Sequence, residues 1–195
     1  IYVGAYNEFG KMVPGSNGKL AFISLKSKIP SEFQNFDDVW SISPYKGNIV
    51  FQSYNAIYIY EEGKPISVVK VPLRVPVSFS VSGRLIINDL AEGLMELSDT
   101  NLIQLKGCER LKGEDISSVL PYDGNNELLI CTIHKGLFLY DGASLKEWDI
   151  PVNELLKKFQ IISASTLQDR YYALGTIQDG VIIIVNKGTL IQHIN

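Results

Sequence analysis

The hydrophobic positions of this chain come in pairs of short runs, each pair joined by a brief polar interruption. The sharpest pair is Leu128-Leu129-Ile130-Cys131-Thr132 followed, after four residues, by Leu137-Phe138-Leu139-Tyr140. Weaker copies follow Ile1-Tyr2-Val3-Gly4-Ala5, Ile49-Val50-Phe51-Gln52-Ser53, Leu85-Ile86-Ile87-Asn88-Asp89 and Tyr172-Ala173-Leu174-Gly175-Thr176. Ala56, Gly93, Gly136 and Gly180, which precede the second runs, are spaced by 37, 43 and 44 residues (93 − 56, 136 − 93, 180 − 136). A repeat near 40 residues made of strands predicts propeller blades, because helical repeats of that length would carry a 3.6-residue periodicity.

The fourth copy predicts a complete unit. Its strands are Ile116–Leu120, Glu127–Thr132, Leu137–Tyr140 and Leu145–Ile150, and Pro121-Tyr122-Asp123-Gly124-Asn125-Asn126 turns the first into the second. Proline presets φ and Gly or Asn tolerates φ > 0 in such turns. Pro44-Tyr45-Lys46-Gly47-Asn48 repeats that turn in the second copy. Closing strands are expected at Leu20–Leu25, Ile66–Val71, Leu102–Leu105, Leu145–Ile150 and Leu190–Ile194. The nearly continuous apolar character of the central strands fits sheets packed on both faces.

The fold class is therefore all-β: a β-propeller arc with about four complete four-stranded antiparallel blades and a first blade lacking its first strand. We expect one domain over residues 1–195, with blades at 1–28, 29–72, 73–106, 107–150 and 151–195, forming part of a larger ring. The single helical signal is Asn153–Lys158, with Pro151 before it and Asn153 as its expected cap.

Charge narrows the function. With 18 basic and 21 acidic residues the formal charge is −3, without a basic stripe, so no nucleic-acid contact is expected. The longest aliphatic run, Val181–Val185, is far short of the roughly 20 residues of a membrane helix, so no span is expected, and no signal peptide is legible at the first residues. Cys108 and Cys131 make no disulfide framework. His134 and His193 fall in separate strand contexts without ligands at zinc spacing, so no metal and no cofactor is expected. Glu61-Glu62 and Asp37-Asp38 are adjacent pairs whose members point oppositely on a strand, and no nucleophile elbow is present; no catalytic residue is assigned. Gly15-Ser16-Asn17-Gly18 reads as a hairpin instead of a phosphate cradle. Trp148 and Phe159 are expected to pack at blade boundaries.

Loops joining second and third strands share one end of a propeller with the segments that lead into the innermost strands. That end carries Tyr6 to Phe9, Tyr54 and Asn55, Leu90 and Glu92, His134 and Lys135, and Gln178 and Asp179, with Asp38, Trp40, Asp115 and Ser117 at the channel rim. The ligand-binding candidates are Tyr54, Asn55, His134, Lys135, Gln178, Asp179, Asp38 and Trp40. Aromatic faces beside amide, imidazole and carboxylate groups suit sugars, whose rings stack and whose hydroxyls need donors and acceptors.

A small residue plus Thr ending the second strand, then Gly and an aromatic third strand, resembles the two-component regulator propeller repeat. Cys131-Thr132 with Gly136-Leu137-Phe138-Leu139-Tyr140-Asp141, Ala173-Leu174-Gly175-Thr176 with Gly180, and Ile1-Tyr2-Val3-Gly4-Ala5 carry the likeness, although Tyr2, Val50, Ile86, Leu129 and Ala173 stand at the family tryptophan position. The resemblance implies a periplasmic, carbohydrate-sensing part of a membrane-anchored bacterial regulator. Its implied partners are an oligosaccharide, the remaining blades or a second propeller of the same regulator, and a second copy in a homodimer. A propeller glycosidase or lyase and a protein-interaction scaffold are the alternatives.

Overall fold

A computed structural model describes residues 1–16, 18–71, 77–124, 126–168 and 170–195. Asn17 and Asn125, assigned to turns, and the expected blade boundary at 72–73 lie outside the described residues. The described residues form five antiparallel sheets in sequence order. The first has three strands, β1 (Tyr2–Ala5), β2 (Glu8–Pro14) and β3 (Leu20–Ser24). Four strands make each of the others. They are β4 (Ser41–Tyr45), β5 (Asn48–Gln52), β6 (Ala56–Tyr60) and β7 (Ser67–Lys70); then β8 (Ser78–Val81), β9 (Arg84–Asp89), β10 (Gly93–Ser98) and β11 (Asn101–Gln104). The fourth sheet holds β12 (Ile116–Pro121), β13 (Leu128–Thr132), β14 (Leu137–Tyr140) and β15 (Leu145–Glu147), and the fifth β16 (Ile161–Leu167), β17 (Tyr171–Thr176), β18 (Val181–Val185) and β19 (Leu190–Ile194). Each is an up-and-down meander of consecutive strands, the architecture of a propeller blade.

The residues divide into two compact units, Ile1–Asp89 with Met95–Ile103 and Leu90–Leu94 with Gln104–Asn195. In the first unit Phe9, Phe51 and Tyr58 fill the space between the first and second sheets, with Phe9 stacked on Phe51 at 4.2 Å between centroids. Val50, Ile57 and Ile59 pack against Leu85, Ile87 and Leu97 between the second and third. In the second unit Leu129, Cys131 and Leu137 meet Ile161, Tyr172, Leu174, Ile182 and Ile184. Face-to-face burial of apolar runs is what lets each sheet persist, since a lone meander leaves both faces in water.

Serines join neighbouring innermost strands. The hydroxyls of Ser41 on β4 and Ser78 on β8 lie 3.1 Å apart, and Ser118 Oγ on β12 accepts from the Ala164 amide on β16 at 2.8 Å. A small polar side chain there lets adjacent inner strands approach while replacing hydrogen bonds otherwise made to water.

Several strand and turn expectations change in detail. Pro44 and Tyr45 belong to β4, opposite Ile49 and Asn48, so the turn is only Lys46-Gly47, both at positive φ (48° and 78°) as a two-residue hairpin turn requires. Pro121 likewise lies in β12, paired with Leu128, and a longer loop closed by Tyr122 N donating to Glu127 O follows. The two turns expected to share one template therefore differ in length. The closing strand expected over 145–150 ends at Glu147: Trp148 N still donates to Leu137 O, and Ile150 N then folds back onto Trp148 O ahead of the helix.

The helix, α1, spans Val152–Phe159, and Asn153 does not cap it. Its side chain is buried: Oδ1 accepts from Leu137 N at 2.8 Å, and Nδ2 donates to Trp148 O at 3.0 Å. Those two backbone groups border β14, and Asn153 anchors the helix to the sheet through them. Trp148 is buried against Tyr122 and Tyr172, the boundary role expected of it. Cys108 and Cys131 are buried thiols outside any disulfide.

Candidate functional site

The Thr-containing motif is first a device for shaping loops. Thr132 Oγ1 donates to Gly136 O at 2.8 Å and accepts from Lys135 N at 2.9 Å; Thr176 repeats both bonds with Gly180 O and Asp179 N at 3.1 and 3.0 Å. Ser53 Oγ donates to Ala56 O at the matching place in the second sheet. One hydroxyl thus satisfies an acceptor and a donor across a four-residue turn, and Gly136 and Gly180 sit at positive φ to close it. Lys135 and Asp179, both candidates, are presented from turns fixed in this way.

The eight candidates fall into two groups of four, one in each unit. In the first unit the lead-in to β4 runs beside the end of β1: Tyr6 and Asp38 form an antiparallel bridge, and Val39 N donates to Ala5 O at 3.2 Å. Trp40 N then donates to Gln52 O, which sets the indole at the loop joining β5 and β6. There it meets Tyr54 edge-on, at 5.0 Å between centroids and 63° between planes. Trp40 remains 53% exposed and Tyr6 69%. Asp38 and Asn55 are exposed beside them. Large aromatic surface left open to water is uncommon on a core-forming scaffold and is the kind of surface a ligand covers.

Asn55 also borders a cleft of about 410 Å³ formed with Glu32, Asn35, Phe33, Tyr58 and Lys70. Its apolar wall is held in place: Tyr58 Oη donates to Phe33 O at 3.1 Å, and Lys70 Nζ lies 5.1 Å from the centre of the Phe33 ring. Burial pushes the Tyr58 phenol up to about 12, so it stays protonated at neutral pH.

In the second unit the buried carboxylate of Glu114 organises the candidates. It accepts from His134 N at 3.2 Å and pairs with Lys135 Nζ at 3.0 Å. Gln160 Nε2 donates to His134 Nδ1 at 3.1 Å. His193 Nε2 lies 3.0 Å from Asp179 Oδ2, and its ring faces Phe159 at 6.4 Å. The two histidines, separate in sequence, thus contact the consecutive residues Phe159 and Gln160 that end α1. Gln178 is exposed on the neighbouring turn. Strand patterning nominated the loops but not Glu114, Gln160, Asn35 or Lys70; only the nomination of Asp115 pointed near Glu114. Among the described residues no group of three or more His, Cys, Asp or Glu could hold a metal ion, and no helix is long and apolar enough to cross a membrane.

The sheets and their order define a β-propeller. No family model matches the chain, and no curated protein matches it. Among solved structures it is similar to the extracellular domain of the hybrid two component system BT3049 from B. thetaiotaomicron, with 22% identity and a TM-score of 0.63 over 80% of this chain and 22% of that one. It is also similar to the extracellular domain of the one component system BT4673 from the same organism, at 19% identity and a TM-score of 0.62 over 94% of this chain and 26% of that one. Virginiamycin B lyase from Staphylococcus aureus matches with 13% identity and a TM-score of 0.67, over 95% of this chain and 62% of the lyase. The chain therefore spans less than two thirds of each of these proteins, and at such identities the likeness is one of fold.

Proposed function

We propose that this chain is a ligand-sensing propeller segment of a bacterial signal-transduction regulator, located outside the cytoplasm and binding carbohydrate without catalysis. The observation that carries the reading is the exposed Trp40–Tyr54 pair, with Asp38 and Asn55 exposed on the same segments; Asn55 also lines a cleft that carries an aromatic wall and amide, carboxylate and ammonium groups. A sugar ring stacks on such faces while its hydroxyls pair with the amides and carboxylates. The fold likeness to extracellular domains of two bacterial regulators supports the cellular role.

The segment works within a larger ring in this reading. Ala173, Gly175, Val181 and Ile183 of the fifth sheet stand 44 residues after Leu129, Cys131, Leu137 and Leu139 of the fourth (173 − 129 = 44), which face the following blade. Signal transfer would follow from rigid-body movement of packed blades when sugar binds.

The test is a thermal-shift screen of oligosaccharides on the folded protein. A ligand selective for the folded state raises the midpoint by mass action, and Trp40→Ala should abolish the shift caused by the active sugar. Release of new reducing ends or unsaturated products from that sugar would overturn the binding reading and favour an enzyme.

A further inference from the structure

The opposite, hairpin end of the second unit holds a second cleft, of about 280 Å³, lined by Tyr122, Asp123, Thr166, Tyr171, Tyr172 and Asn186 together with Pro121. It lies between the fourth and fifth sheets: Tyr122 and Asp123 follow β12, Thr166 is the last residue but one of β16, Tyr171 and Tyr172 begin β17, and Asn186 follows β18. We propose that this cleft binds a single neutral sugar ring, making the chain a carrier of two separate carbohydrate sites.

Three observations lead there. The aromatic wall is fixed before any ligand arrives. Tyr172 Oη donates to Pro121 O at 2.8 Å, and Tyr122 and Tyr172 both set an edge-on contact with the buried Trp148, at 5.3 and 6.4 Å between centroids. A preorganised wall spares a ligand the entropy of ordering it. Next, the polar groups match hydroxyls. Asp123 accepts, Thr166 donates and accepts, and the Asn186 amide does both. Burial holds the phenols of Tyr122 and Tyr172 protonated, the latter up to about 12, so they carry no charge at neutral pH.

Charge and size define the class of ligand. Among the described residues the one charged group on the lining is the Asp123 carboxylate, and no Lys or Arg lines the cleft. An anionic sugar would meet like charge with no counter-charge on the wall, whereas a neutral ring would not. The volume is just below the range of about 300–1,000 Å³ usual for drug-sized ligands, which fits one ring better than an extended chain. Tyr122 and Tyr171, both half-buried, present ring surface that a core residue would not.

The experiment is a heteronuclear NMR titration of the folded protein with methyl β-glucoside, methyl β-galactoside and glucuronic acid. At least one neutral glycoside should move the amides of Tyr122, Asp123, Thr166, Tyr171 and Asn186. Tyr171→Ala should weaken that response at least about tenfold, and Tyr171→Phe, which keeps the ring, should weaken it less. Asp123→Asn should narrow the preference for neutral sugar over glucuronic acid. Trp40→Ala, in the other unit, should leave this response unchanged, which separates this site from the Trp40 site. The proposal is overturned if these amides stay still with every neutral glycoside up to about 100 mM, or if glucuronic acid binds them as well as the neutral sugars.

Discussion

Single side chains with several backbone partners decide local structure here. Asn153 is the clearest. Its replacement by Ala would strand the Leu137 amide in a buried place, whereas the Trp148 carbonyl keeps the Ile150 amide as a donor. Leaving a buried group unsatisfied costs about 1–3 kcal/mol, and the urea midpoint of Asn153→Ala should fall accordingly. Glu154→Ala, one residue on, removes an exposed partner of Lys157 and should move stability by less than about 0.5 kcal/mol. Asp141 is a second case. Its carboxylate accepts from Ser144 Oγ and from the amides of Ala143 and Ser144 in the turn before β15, and these bonds hold it down to about 2, with the Ser144 hydroxyl contributing most. A depressed carboxylate stabilises the folded state above its unfolded value near 3.8, and the contribution disappears as pH falls through about 2. NMR titration should find the Asp141 midpoint well below the ordinary aspartate value of 3.8. Asp141→Asn should remove that part of the acid dependence.

At the scale of elements, the turns carry the repeat. Gly180 is at positive φ, and a β-carbon there would run into the Ile194 carbonyl of β19. Gly180→Ala should therefore destabilise the fifth sheet by more than the roughly 1 kcal/mol of an ordinary Gly-to-Ala strain, and amide exchange should rise first along β18 and β19. Gly142, also at positive φ but facing open space, should lose less on the same change. The strands were readable because alternating and continuous apolar runs record which faces are buried; β13, β14, β17 and β18 fall within one residue of their expected places. What could not be read was set by contacts distant in sequence. Asn153 looked like a cap because local sequence carries no trace of the β14 edge that claims its side chain. Turn lengths differ because β4 runs one residue past Pro44 and closes on Lys46-Gly47, whereas β12 ends at Pro121 itself. Glu114 and Gln160, which hold Lys135 and His134, sit in connecting segments without periodicity. The candidate loops were foreseen, while the residues that orient them appear only once β12, β13 and α1 are assembled.

For the whole molecule, the account rests on sheets stacked as blades, with function in the loops at their ends. The chain has two tryptophans, and they differ sharply: Trp148 is 7% exposed and Trp40 is 53% exposed. Iodide quenching of the intrinsic fluorescence therefore reports mainly on Trp40, the residue at the centre of the proposed sensing surface. The most direct measurement is this quenching with and without the oligosaccharide that gives the largest thermal shift. The expected result is loss of most iodide access on sugar binding, with the buried Trp148 signal unchanged. An unaltered quenching constant at saturating sugar would contradict the account.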